Sequence, residues 1–111
     1  MIGLDIVEIE RIRKLASRNP RFLTRVFSAD EIRYCRSKKR AWQHFAVRFA
    51  AKEAVWKALG RGGVALSDIA VHSGTDGRPS VRIAGKPPRP SIEISLSHSE
   101  HYAVAVALVQ K

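Results

Sequence analysis

Residues 41–59 read Ala41-Trp-Gln-His-Phe-Ala-Val-Arg-Phe-Ala-Ala-Lys-Glu-Ala-Val-Trp-Lys-Ala-Leu59, and this stretch decides the fold. At about 100° per residue with Arg48 as zero, Trp42, Phe45, Ala46, Phe49 and Trp56 fall at roughly 60–160°, an aromatic stripe. Most of the remaining circumference is Ala, Val and Leu, so the helix is expected to be largely buried. Glu53 falls at about 140°, inside the stripe. A carboxylate there is costly unless it is paired, hydrogen-bonded or bound to a metal. Lys57, one turn on, supplies one answer as an i,i+4 partner. A functional carboxylate is the other.

Working outward, the helix is expected to end at Gly60, with Gly62-Gly63 as cap and loop. Upstream, Ser28-Ala-Asp-Glu31 has capping-box spacing and starts a helix running to about Ser37. Residues 10–18 carry helix formers that Asn19-Pro20 interrupts. Residues 2–9 read as a strand, Ile2, Leu4 and Ile6 alternating with Gly3, Asp5 and Val7. Downstream, Ile69–Ser73 and Ser80–Ala84 flank Gly74-Thr-Asp-Gly77 as a hairpin. Ile92–Leu96 and Tyr102–Val109 flank Ser97-His-Ser-Glu-His101 as another. An N-terminal strand, helices including a long buried one, then antiparallel hairpins make an α+β fold. No repeat is visible, and Lys86-Pro-Pro-Arg-Pro90 is a connection within one domain spanning residues 1–111.

The 111 residues carry twenty Lys+Arg against ten Asp+Glu, a formal charge of +10. That balance favours an anionic partner: nucleic acid, an acidic protein, a membrane surface or a phosphate-rich ligand. The single Cys35 excludes an intrachain disulfide framework and a Cys-cluster zinc site. The first residues lack the pattern of a signal peptide, and the longest apolar run, Tyr102 to Val109, is too short to span a bilayer. A cytoplasmic protein is expected.

Asp5 poses in a strand the problem Glu53 poses in the helix: it either caps or pairs locally, or it serves chemistry. Two carboxylates from separate elements, with cations nearby, suit Mg²⁺ held also by phosphate and water. The cations are uneven. Arg11, Arg13, Lys14, Arg18, Arg21 and Arg25 form a run without an acid, either a solvated face or a dock for an acidic protein or nucleic acid. Lys38-Lys39-Arg40 precede the long helix, and Arg48 and Lys52 sit one turn apart on it. The helix is thus expected to present carboxylate and cations to one neighbourhood. His98 and His101 lie in the last hairpin loop beside Ser97 and Ser99, a setting that suits phosphate contacts better than a nucleophilic triad, since no Gly-x-Ser-x-Gly elbow is present. His44 and His72 read as structural or exposed.

Three segments carry a resemblance: Gly3-Leu-Asp-Ile-Val-Glu-Ile-Glu-Arg-Ile12, Arg48-Phe-Ala-Ala-Lys-Glu-Ala-Val-Trp-Lys-Ala58 and Ile94-Ser-Leu-Ser-His-Ser99. Asp76-Gly-Arg-Pro79 adds a Gly-x-Pro turn before a strand. In these segments, in their order and over essentially the whole chain, the sequence resembles the holo-[acyl-carrier-protein] synthases, the small bacterial 4′-phosphopantetheinyl transferases. The resemblance implies that family's fold and transfer of 4′-phosphopantetheine from coenzyme A to a serine of apo-acyl carrier protein. It further implies release of adenosine 3′,5′-bisphosphate and service to fatty acid biosynthesis. Asp5 and Glu53 match its Mg²⁺ ligands. Lys39, Arg48, Lys57 and His98 match positions contacting coenzyme A. Arg11, Arg18 and Arg21 fall where such enzymes grip the acidic helix of the carrier. A homotrimer is implied, with Asp5 and Glu53 in one subunit and His98 from the next or its edge. Two departures stand out: Val47 where a Gly often precedes the Arg, and a short Gly60–Ala65 loop.

Under that resemblance the catalytic roles fall to Glu53 and Lys57. Lys57 offsets charge on the leaving side, and the carrier serine attacks, so no covalent enzyme nucleophile is needed. Glu53 through a water is the preferred base, with a metal-bound water as the rival. From other classes, a nucleic-acid-binding module is permitted by the charge, but no helix-turn-helix, zinc-finger or RNP-like pattern appears, so nucleic acid is not the expected partner. A basic adaptor for acidic proteins would leave Asp5 and Glu53 without a purpose.

Overall fold

The computed structural model describes residues 1–60 and 63–110. The expected order of elements is observed: β1 (Ile2–Glu8), α1 (Ile9–Arg18), α2 (Phe22–Val26), α3 (Ala29–Arg36), α4 (Ala41–Ala58), a 3-10 turn (Leu66–Asp68), β2 (Ile69–Ser73), β3 (Pro79–Ile83), β4 (Ile92–His98) and β5 (Tyr102–Val109). The strands form an antiparallel sheet in the order β1-β5-β4 and a separate antiparallel pair, β2-β3. Several boundaries differ from expectation, β3 running from Pro79 to Ile83 instead of Ser80 to Ala84. Ile9 opens α1 instead of closing β1, the five-residue α2 lies where no helix was expected, and β4 runs on through His98. Gly60, at φ +82°, follows α4 as expected for a cap, whereas Gly62 lies outside the described residues.

The long helix is the spine. Ten of its residues are buried, Phe45, Val47 and Val55 among them. It packs on β1 and β5 through small side chains. Ala103, Ala105 and Ala107 point inward from β5, and Ala46, Ala50, Ala54 and Ala58 are buried on α4. Small residues on both faces let the backbones approach. Gly3 marks the closest point: a Cβ there would lie 1.9 Å from the Ala54 carbonyl oxygen and 2.8 Å from the Ala58 nitrogen. No rotamer relieves a backbone clash, so β1 needs glycine at this position.

Because α4 covers only one face of the sheet, the other face is bare. Ile2, Leu4 and Ile6 point outward and are 70%, 61% and 64% exposed, while Gly3 and Val7 point into the core. Their partners across the ladder are Leu108, Val106 and Val104. The outer sheet face is therefore apolar and continuous over two strands, which is unusual for a surface left to water.

The second hub is polar. The capping box forms as its spacing indicated: Ser28 Oγ accepts from the Glu31 backbone N–H at 3.1 Å, and Glu31 Oε1 accepts from the Ser28 N–H at 2.9 Å. The same buried carboxylate meets Lys52 Nζ at 2.7 Å and accepts from the Val71 N–H at 3.1 Å through Oε2. Lys52 also donates to the Ile69 carbonyl, and it is fully buried. Lys52 is thus not a solvent-facing cation beside Arg48, as its spacing had suggested. It ties α3, α4 and β2 together. Cys35 is buried beneath it, and burial above all pushes its thiol up to about 11, which fits an inert core residue.

Candidate functional site

The α4 helix carries two groups of candidate functional side chains on different faces. On one face Lys57 reaches β1. Its Nζ donates to the Leu4 carbonyl at 3.0 Å and to Asp5 Oδ1 at 3.1 Å. The Asp5 side chain is 16% exposed and that of Lys57 33%, so the pair sits at the rim of the core, within reach of solvent. Glu53 is half-buried and lies one turn before Lys57 on the same face. Residues at i and i+4 are about 5–6 Å apart at their Cβ atoms. Asp5, in contact with the Lys57 ammonium, and Glu53, one helical turn before Lys57, are thus both neighbours of that lysine. The tertiary partner of Lys57 is on another element, which the i,i+4 reading alone does not supply.

This donor set suits a hard divalent cation. It offers two carboxylates on a strand and a helix, both rigid elements. Among the described residues no group of three His, Cys, Asp or Glu converges to form an all-protein cage. Magnesium is bound by one or two carboxylates plus phosphate and water, and such a site leaves positions open for both.

Arg48 faces elsewhere. By helix geometry it stands roughly 140° from Glu53 and 180° from Lys57. Carboxylate and Arg48 do not share one neighbourhood within a single chain. Arg48 is only 6% exposed, and its guanidinium carbon lies 4.3 Å from the centre of the Tyr34 ring. Lys38 Nζ lies 4.7 Å from the same ring, and His44 meets it edge-on at 5.9 Å. His98 closes the group from the end of β4, where it pairs with Ala103. Tyr34, His44, Arg48, Ser73, Pro79 and His98 border a cavity of about 200 Å³. Burial first, then the charges of Arg48, Lys38 and His98, hold His44 below the ordinary imidazole range. The cavity is electropositive, and His44, read from sequence as structural or exposed, belongs to its wall.

The other expected residues separate. Lys39 is exposed in a shallow groove with Ile9, Trp42 and Glu100, apart from Arg48, and the structure puts its neighbour Lys38 at the Tyr34 ring instead. Arg11, Lys14 and Arg18 follow one another at i, i+3 and i+7 along α1 and line a groove of about 360 Å³. Arg21 is exposed at the start of α2. Arg13 is held by Glu10, with Nε 2.9 Å from Oε1, so the basic run is partly neutralised from just outside it. His101 is exposed in the β4–β5 turn. Tyr34 and Lys38 escaped sequence reasoning. Lys38 had a signal, its place in a basic triplet, but Tyr34 had none, because its meaning depends on how α3 packs on α4.

Comparisons with known proteins converge. Residues 1–107 match the family described as the 4′-phosphopantetheinyl transferase superfamily. The chain is 43% identical to the holo-[acyl-carrier-protein] synthase of Koribacter versatilis, over 97% of this chain and 95% of that protein. It is 44% identical to that of Protochlamydia amoebophila, over 96% and 94%. In three dimensions it is similar to the Helicobacter pylori holo-[acyl-carrier-protein] synthase solved in complex with coenzyme A. The TM-score is 0.85 at 34% identity, covering 99% of this chain and all of that one. The Neisseria meningitidis holo-[acyl-carrier-protein] synthase gives a TM-score of 0.86 at 28% identity, over 99% and 97%. The chain belongs to the 4′-phosphopantetheinyl transferase superfamily and, within it, to the holo-[acyl-carrier-protein] synthases.

Proposed function

We propose that this single-domain chain transfers 4′-phosphopantetheine from coenzyme A to a serine of apo-acyl carrier protein, releasing adenosine 3′,5′-bisphosphate, and so serves fatty acid biosynthesis. The observation that carries this reading is the Asp5–Lys57 pair beside Glu53, two carboxylates and a cation at the rim of the core. Asp5 and Glu53 would hold Mg²⁺. When bound, the ion would neutralise the diphosphate and polarise the phosphorus under attack. Lys57 then opposes the charge that develops on the leaving phosphate, a role for which its ammonium is already held at the site. The Glu53 carboxylate accepts the serine hydroxyl proton through a water, so no covalent enzyme intermediate is required. Weighing an apo-carrier after incubation with the protein, Mg²⁺ and coenzyme A tests the reading. A gain of one intact phosphopantetheine, abolished by a chelator, is expected, and an unchanged carrier mass overturns it.

The carrier is assigned to the α1 surface, where Arg11, Lys14 and Arg18 line one groove with Glu8 and Glu10, and to Arg21, exposed at the start of α2. Arg11→Glu with Arg18→Glu is expected to raise the Michaelis constant for the carrier at least about tenfold, some 1.4 kcal/mol, modest for reversing two interface charges. The Michaelis constant for coenzyme A should hold, and raising salt should weaken the parent more than the variant. Loss of coenzyme A binding with carrier affinity intact would move these arginines to the nucleotide site.

A homotrimer is the assembly we assign. The bare apolar sheet face needs a cover, and the two functional groups lie on different faces of α4, so a complete site calls for groups from adjacent subunits. Leu4→Glu places a charge at the centre of that face. Analytical ultracentrifugation should find monomer, and transfer should fall at least about tenfold, because burying an unpaired charge at an interface costs several kcal/mol. A variant that keeps the parent's mass and rate would show that this face is not the interface.

A further inference from the structure

The Tyr34–Arg48 stack has a geometry that neither burial nor charge pairing explains. Arg48 is a guanidinium 6% exposed, yet among the described residues no carboxylate pairs with it. The two acids that border a cavity with it are occupied elsewhere. Asp30 meets Arg33 at 2.9 Å and Glu31 meets Lys52 at 2.7 Å. What Arg48 has is the face of Tyr34, which also carries Lys38 at 4.7 Å. A buried cation without an anion is normally costly. The negative face of an aromatic ring offsets part of that cost while leaving the N–H donors free.

The placement of the stack is equally informative. Tyr34, Arg48, Val71 and Ser73 border both the cavity that holds His98 and an adjoining one of about 230 Å³, so the stacked pair forms part of a shared wall. Guanidinium planes recognise phosphate by presenting donors in a fixed fork, and a ring against one face restricts how that fork swings.

We propose that Tyr34 is a positioning residue for coenzyme A: its ring sets the Arg48 guanidinium and holds Lys38 beside it, so that both meet a phosphate of the nucleotide end. This rests on the coenzyme A reading of Arg48 and His98 given above. Tyr34 touches no reacting atom, so its effect belongs in nucleotide affinity and not in turnover. The ring matters and the hydroxyl does not. His44, edge-on to the same ring and held below the ordinary imidazole range by burial first and then by its cationic neighbours, completes the wall.

Tyr34→Leu, Tyr34→Phe and the parent are compared in steady-state transfer and in direct titration with adenosine 3′,5′-bisphosphate in the presence of EDTA. Tyr34→Leu should raise the Michaelis constant for coenzyme A and the dissociation constant of the bisphosphate by about tenfold, with kcat within about threefold, as loss of a partly desolvated cation–π contact implies. Tyr34→Phe should stay within about twofold of the parent, since it keeps the ring face. Lys38→Ala, which leaves the fold's interior untouched, should give a smaller rise in the same two constants. A Tyr34→Leu variant with both constants unchanged overturns the proposal, as does a Tyr34→Phe variant as impaired as Tyr34→Leu. A loss confined to kcat does so too. A parent that transfers nothing overturns the functional reading first, and the positioning role falls with it.

Discussion

Glu53→Gln is expected to lower transfer at least about a hundredfold, some 2.7 kcal/mol in the barrier, while leaving the fold intact. The substitution keeps the shape of a half-buried side chain and removes its charge. Lys57 already places an ammonium at Asp5 Oδ1, so without Glu53 one carboxylate faces both that cation and a divalent ion. Metal affinity should fall with activity, and extra Mg²⁺ should restore little, because in the proposed mechanism the carboxylate is also the proton acceptor. Steady-state rates over a Mg²⁺ series, with circular dichroism as a control on folding, decide the matter. Activity within threefold of the parent at any Mg²⁺ concentration would remove Glu53 from both roles.

Lys52→Met should be the most damaging conservative change to stability, about 3–5 kcal/mol, the usual consequence of leaving one member of a buried pair uncompensated. Met matches the length of the lysine stem and fills the same space, so lost packing is small. What remains is the Glu31 carboxylate, buried, with only the Ser28 and Val71 N–H groups to stabilise it. The carbonyl oxygens of Ile69 and Leu66 also lose a donor. Adding Glu31→Gln should recover part of the loss, since Gln is neutral and still offers an oxygen to one of those N–H groups. Urea titration of the two single variants and the double measures the coupling. A Lys52→Met variant within 1 kcal/mol of the parent, or strictly additive changes, would show that the pair does not pin β2 to the helices.

The long helix was legible because its pattern is local: eighteen residues apolar nearly all round admit little but burial, and Glu53 stood out against them. The capping box at Ser28 was legible for the same reason, being a contact across three residues. The hairpin at Gly74–Gly77 likewise declares itself through turn chemistry, Gly77 taking φ +82°. The five-residue α2 was not, since so short a helix holds by packing Leu23 and Val26 into the core and carries no period of its own.

Lys52 and Lys57 show where local reading ends. Both are lysines on one helix, and spacing gave Lys57 an i,i+4 partner in Glu53 while setting Lys52 one turn from Arg48. Lys52 turns inward to Glu31, 21 residues away in the chain, and becomes part of the scaffold. Lys57 reaches Asp5, 52 residues away, and becomes part of the candidate site. From the sequence alone came the α+β order, the central helix, the Asp5 and Glu53 carboxylates and the basic α1 surface, because each rests on composition or on periodicity within one element. Only the tertiary structure decided which cations are structural and that Tyr34 and Lys38 accompany Arg48. Those facts depend on which face each element turns to its neighbours, and that is set by packing between elements far apart in the chain.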